Sequence, residues 1–504
     1  MLRTNALLFV SLVSAVAVAC SDGTDPNTGN TTGGTGGTAG SAGEAGSGGS
    51  GGSVTAGTGG TAGSSGTAAT GGTAGTGGST GGTGGTGGSA YMAYPPVPYP
   101  PENQPTEDKE MLGKVLFWEE QMSSDNTMAC GTCHRASAGG SDPRASQSTA
   151  IHPGPDGTLG TADDRRGAQG IKRCTESGGN VTYKNDPIFG ANRQVTGRKP
   201  PTYLDAMFNK DNFWDGRARS QFIDPDTNQV AIAAGGSLES QSVGPPLADA
   251  EMACENRTWP SIHAKLTTAQ PLALAHDIPA DMKAFIAKYP TYPKMFEAVY
   301  GTEEINTKRI AFAIATHERR LTSNQTPWDR WNAGEASAMT EAQINGFNLF
   351  MTTARCNLCH SPPLFSDVLI PGDDVEFHNL GFFDEDPNFD NGREKVTMDA
   401  TDRFKVKTPG LRNVGLREAG GLLHTGAGVG ANLEAVMAAY KNIPFPNSPN
   451  IDPVVGGVGG PTDPLPINTA EIADIIDFMR NALTDPRVKN EQAPFDRPKL
   501  GSEP

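Results

Sequence analysis

The chain has 504 residues, a formal net charge of −16 and 64 glycines, 29 of which lie between residues 21 and 90. So acidic a balance excludes nucleic acid and anionic-lipid surfaces as partners, since both require a basic face. The remainder of the chain is long enough to bury a core divided in two, and its 7 cysteines, 8 histidines and 14 methionines direct attention to redox or metal chemistry.

In chain order, residues 1–20 predict a secretory signal, with Arg3 in the charged region and an apolar run from Ala6 to Ala19. The run is shorter than the roughly 20 apolar residues that span a bilayer. Its end, Ala17-Val18-Ala19-Cys20, resembles a bacterial lipobox, although Ala17 stands where Leu is usual. That resemblance implies that Cys20 is the lipidated first residue of the mature protein and that a lipid anchor is the only membrane contact. Ser21 in place of an Asp retention signal points to the outer membrane, with the protein on the periplasmic side or at the cell surface. Residues 21–105 predict a linker. Up to Ala90 it repeats GGT, GGS and TAG units with Asp22, Asp25 and Glu44 as its only charges, so it has almost nothing to bury. As a random coil it spans roughly 45 Å. Tyr91 to Pro101, with five prolines, then predicts a stiffer extended lead-in. Beyond it the pattern is mainly α. Ile310, Ala313, Ile314, His317 and Leu321 recur at helical spacing, as do Ile472, Ile475, Ile476 and Met479, and Pro- and Gly-rich stretches predict long loops.

Two motifs carry the chemistry: Cys130-Gly131-Thr132-Cys133-His134 and Cys356-Asn357-Leu358-Cys359-His360. Two thiols three positions apart can form thioethers to the vinyl groups of one haem, and the adjacent His then becomes the proximal iron ligand. Zinc pairs lie about 15 to 20 residues apart. Here the pairs are 223 residues apart, from Cys133 to Cys356, and neither zinc nor a redox dithiol explains a His directly after both. Two covalently bound haem c groups are therefore expected. Cys174 and Cys254 remain, either as one disulfide, which an oxidising compartment would favour, or as two buried free thiols.

The blocks around these motifs resemble the bacterial di-haem cytochrome c peroxidases and the related MauG-like enzymes, from about Thr106 to Leu483. They are Leu112-Gly113-Lys114-Val115-Leu116-Phe117, Pro201-Thr202, Phe213-Trp214-Asp215-Gly216-Arg217, LESQSVGPPLADAEM from Leu238 to Met252, AIATHERRL, Gly346-Phe347-Asn348-Leu349-Phe350, FKVKTPGLRNV, the His-x-Gly of His424 to Gly426, and DFMRNALTD. The resemblance implies two class-I-like cytochrome c domains with long loops, an N-terminal peroxidatic domain over 106–335 and a C-terminal electron-transfer domain over 336–485, followed by a tail over 486–504. It implies reduction of hydrogen peroxide to water with electrons from a small c-type cytochrome or cupredoxin. The alternatives are a MauG-like oxidase that uses a high-valent iron state on a protein or organic substrate, and an electron-transfer cytochrome without peroxidase activity. A homodimer is compatible with each.

Residue by residue, the family's distal Gln and Glu fall on Gln241 and Glu251, with Glu251 the general acid/base, and its inter-haem relay falls on Trp214. Residues 220–236 form an insertion before this segment. The distal His that gates some relatives is replaced by Ala191; His152 is the only nearby candidate, so an open iron needing no reductive activation is expected. At the second haem the helix from Leu433 carries Tyr440 at the sixth-ligand position, with Met437 one turn away as the alternative. The family's calcium-binding Asn is replaced by Lys199, which cannot ligate calcium while charged, so calcium is not expected there. The acidic loop Pro153 to Asp164 departs from the EF-hand pattern and predicts a solvated turn.

Overall fold

The computed structural model describes residues 91–370, 372, 375–456 and 465–503. The signal, the lipobox Cys20 and the glycine-rich part of the linker lie outside these residues. No helix among the described residues is long and apolar enough to cross a membrane.

The fold is mainly helical. In order come α1 Glu107–Phe117, α2 Cys130–Cys133, α3 Ser237–Ser242, α4 Trp259–Thr268, α5 Ala280–Lys288, α6 Tyr292–Tyr300, α7 Thr307–Glu318, α8 Pro327–Asn332 and α9 Glu341–Met351. After the second CxxCH follow α10 Glu394–Thr397, α11 Val414–Arg417, α12 Leu433–Lys441, α13 Pro453–Gly456 and α14 Thr469–Asp477. The strands form two-stranded antiparallel pairs in the loops; one, Phe222–Asp224 with Gln229–Ile232, is the inserted segment.

Each half is organised by one close helix crossing. Thr106 caps α1 by accepting from the Lys109 amide, and Asn306 caps α7 through Arg309. Where α1 meets α7, a Cβ on Gly113 would lie 1.9 Å from the Ala313 carbonyl oxygen, so only glycine allows the backbones this near. The α9/α14 crossing repeats the device: a Cβ on Gly346 would lie 2.0 Å from the Asp474 carbonyl oxygen. Both glycines open the same G-x-x-L-F sequence, ending at Phe117 and Phe350, whose rings are buried. Around the first crossing a core gathers Leu112, Leu116, Phe296, Ile310 and Ile314; around the second gather Phe347, Phe350, Phe365, Ile475 and Phe478, with Phe350 and Phe365 edge to face on Phe478.

Three segments depart from the expected boundaries. The lead-in from Tyr91 is extended but is not a free spacer. The Tyr91 ring sits 5.1 Å from Phe347, the Tyr94 hydroxyl bonds Asp205, and the Pro98 carbonyl accepts from Arg319. Its aromatic side chains have apolar surface to bury, unlike the glycine tract before it. Residues 486–503 are likewise no loose tail: Val488, Phe495 and Leu500 enter the first core, and Glu503 pairs with Arg135 and Arg497. Trp328 belongs to the second core, so that core begins before residue 336.

Candidate functional site

The two CxxCH motifs have closely similar local geometry. In the first, α2 turns directly into His134, whose Nδ1 lies 3.2 Å from the Gly140 carbonyl oxygen; in the second, His360 Nδ1 lies 3.1 Å from the Phe365 carbonyl oxygen. A carbonyl only accepts, so Nδ1 carries the proton and Nε2 keeps its lone pair for a metal. Burial holds both imidazoles below their ordinary pKa and therefore neutral. The four motif cysteines form no disulfide, and burial pushes the thiols of Cys130 and Cys356 up to about 12. Redox dithiols need the opposite shift. Neutral imidazoles with an open Nε2 beside paired apolar thiols fit haem c.

Around the first motif, Glu251 lies close enough for its charge to raise Cys130 and Cys133. Burial raises the pKa of its own carboxyl, against an opposing pull from Arg217, whose guanidinium stacks 3.7 Å from the Phe213 ring centre. The Glu251 backbone is clamped on both sides. Its carbonyl accepts from Ile171 at 3.0 Å, and three residues on, Cys254 is disulfide-bonded to Cys174. That pairing resolves the two cysteines the sequence left open. Gln241 stands at the end of α3, its side-chain amide making no hydrogen bond among the described residues; Gly244, just beyond, approaches Phe213. Glu318 of α7 is a further buried carboxyl near Cys130. It is 4% exposed, its Oε2 has no partner, and burial pushes it up to about 8. Sequence reading passed over it because it sits inside an otherwise ordinary helical pattern.

The second motif opens on a cavity lined by Cys356, Cys359, His360, Met437, Tyr440 and Trp214. Tyr440 and Met437 thus face the same space as His360. Burial and the two cysteine sulfurs raise the Tyr440 phenol, whose ring meets Phe382 edge on at 4.8 Å. Trp214 donates from Nε1 to the Lys199 carbonyl at 2.7 Å, and its ring lies 6.0 Å from that of His424. His424 in turn bonds Glu385 at 2.8 Å. Glu385, Asp390 and His424 converge like metal ligands, yet Arg165 and Arg198 already pair with both carboxylates, and the cluster reads as an ion network. His378 lies between Asp367 and Asp452, 2.9 and 2.6 Å away, which raise it to about 12 against the cost of burial. His152 packs between the rings of Phe189 and Phe389, and its Nδ1 accepts from Gly154. The loop over 153–164 is an exposed turn held by Asp156, Asp163 and Asp164.

Comparison with known proteins meets this geometry. Residues 107–337 match the family model for di-haem cytochrome c peroxidases. Over that stretch the chain is similar to this family. Among relatives, it is 29% identical over 327 residues to the cytochrome c peroxidase Ccp of Escherichia coli, covering 64% of this chain and 51% of that protein, about half the relative's length. It is 26% identical over 398 residues to the methylamine utilization protein MauG of Methylorubrum extorquens, covering 77% of this chain and 82% of that one. A solved MauG-like protein associated with microbial copper homeostasis shares the fold at a TM-score of 0.53 and 21% identity, over 80% of this chain and 97% of that one.

Proposed function

We propose that this protein is a di-haem peroxidase: one hydrogen peroxide, two protons and two electrons yield two waters, the electrons coming one at a time from a small c-type cytochrome or cupredoxin. The observation that carries this reading is Glu251, a carboxyl raised by burial, close to the first CxxCH and held from both sides by backbone and disulfide. Held by His134 and His360 and by thioethers to Cys130, Cys133, Cys356 and Cys359, haem c would supply an exchangeable iron position and one-electron storage. The chain supplies the rest. Glu251 takes a proton from the nearer peroxide oxygen and returns it to the departing one, Gln241 orients the peroxide, and Trp214 lies on the route for electrons from the second domain. Tyr440 would help His360 hold the second haem, with Met437 as the alternative.

A second reading is favoured by Tyr440. An anionic oxygen ligand stabilises oxidised iron and suits a MauG-like enzyme that draws its electrons from a protein or organic substrate. Steady-state turnover separates the two: peroxide consumed in step with oxidation of reduced cytochrome c supports the peroxidase, whereas consumption only with an organic or protein substrate supports the oxidase. Low-temperature electron paramagnetic resonance tests both against a plain electron-transfer cytochrome. One high-spin and one low-spin iron are expected; two low-spin irons that persist on partial reduction would leave no open site. The predicted signal and Cys20 support export and lipid anchoring, which Cys20→Ser tests by releasing the protein from the membrane fraction.

A further inference from the structure

The second cavity has a cationic wall. Lys199, Lys407 and Arg417 all line it and are 3%, 6% and 6% exposed. Among the described residues none of the three forms a salt bridge. Arg417 directs its N–H groups to the carbonyls of Gly139, Arg412 and Gly410. Lys407 has Glu376 and Asp367 as longer-range opposite charges. Lys199 is the least compensated: it faces the like charge of Arg417, and its one opposing carboxylate, Asp142, is already bound by Arg144 at 2.8 Å.

Nor is Lys199 free to withdraw. Its amide donates to the His424 carbonyl at 2.8 Å and its carbonyl accepts from Trp214 Nε1 at 2.7 Å, so both sides of the residue are pinned where it lines the cavity. Burial drives its ammonium down to about 7. A buried cation without a counter-charge is costly, and the cost is removed by an anion brought to it. A haem held by Cys356, Cys359 and His360, which line this same cavity, would bring two carboxylates with it. We propose that Lys199 is a propionate subsite of the second haem cavity, its ammonium pairing with one haem carboxylate, with Arg417 adding to the positive field. This rests on the two-haem reading above.

The test uses the mature holoprotein. Lys199→Met keeps the side-chain volume and removes the charge. It should retain two haems per chain by the pyridine haemochrome assay, lower the midpoint potential of the low-spin haem, because an unpaired propionate stabilises ferric iron, and shift that haem's propionate bending band in resonance Raman spectra. Lys407→Met, whose charge is already opposed, should shift both less. Lys199→Arg keeps the charge and should move the band while leaving the midpoint near wild type, which serves if the Met variant does not mature. An unchanged midpoint and band in Lys199→Met with both haems bound would overturn the proposal, as would conversion of the low-spin haem to high spin, which would make Lys199 an iron ligand. Fewer than two haems in the wild type would instead sink the underlying reading.

Discussion

Glu251 combines two properties that a proton carrier needs: burial that keeps its proton affinity high and a backbone that cannot drift. Glu251→Gln keeps the shape and removes the titrating group, so peroxide turnover should fall about 100- to 10,000-fold with both haems retained. Its raised pKa also sets a pH sign. The base form must be present to accept the first proton, so wild-type turnover should decline as pH falls through a value above the ordinary carboxylate range, and the Gln variant should lack that limb. At the second haem, Tyr440→Phe should alter the low-spin absorption and paramagnetic spectra, whereas a response confined to Met437→Leu would make Met437 the ligand. Glu318 gives a stability prediction. Its folded pKa, about 8, exceeds the unfolded value, so the folded state keeps a proton that the unfolded chain has lost. The favourable contribution is complete below the unfolded pKa and is lost as pH rises to about 8. Glu318→Gln should therefore raise the melting temperature at pH 8 more than at pH 5, with a gain on the order of 4 kcal/mol at most at pH 8.

At the scale of elements, the disulfide links chemistry to the fold. Cys174 begins a hairpin strand paired with Asn180–Tyr183, and Cys254 follows the Glu251 turn, so the bond fastens the loop that carries Glu251 to a neighbouring hairpin. The paired Ser variant should keep both haems, which are attached elsewhere, while losing peroxide turnover and gaining amide exchange at residues 249–255 by hydrogen–deuterium mass spectrometry. The local geometry of the CxxCH motifs was legible because the spacing of the two cysteines and the adjacent His fixes one short turn. Helices with strong 3.6-residue patterns, such as α7, were legible for the same kind of reason. What could not be read was decided by partners distant in sequence. The Cys174–Cys254 pairing depends on a separation of 80 residues, the seating of Tyr91 and Tyr94 on surfaces more than 100 residues away, and the return of Phe495 and Leu500 to the first core on a contact across nearly the whole described chain. Lys199 was visible as a departure from the calcium pattern, but only the fold shows that it lines the second cavity.

Over the whole described chain, residues 91 onward fall in one compact unit containing both helix crossings, bound across the middle by Arg198 with Asp390, the Lys407 amide with the Trp214 carbonyl, and Asn413 with Ser323. Trp214 lies on this seam, its indole bonded to Lys199 and its ring beside His424, so the relay position in the proposed electron route coincides with the joint between the two cores. Electrons must still arrive from outside, and the chain's net charge of −16 bears on how. A strongly acidic protein attracts a basic donor over a distance set by the Debye length, about 10 Å at 0.1 M salt, and that attraction acts mainly on the association rate. With a basic cytochrome c as donor and peroxide saturating, kcat/KM for the donor should fall steeply with ionic strength while kcat, once the docked pair has formed, changes little. With an acidic cytochrome the same salt series should be flat or rise. A steep fall with both donors would point to dissociation within the enzyme or loss of a specific contact in place of steering, and a flat response with the basic donor would mean that the docking face does not share the net charge of the chain.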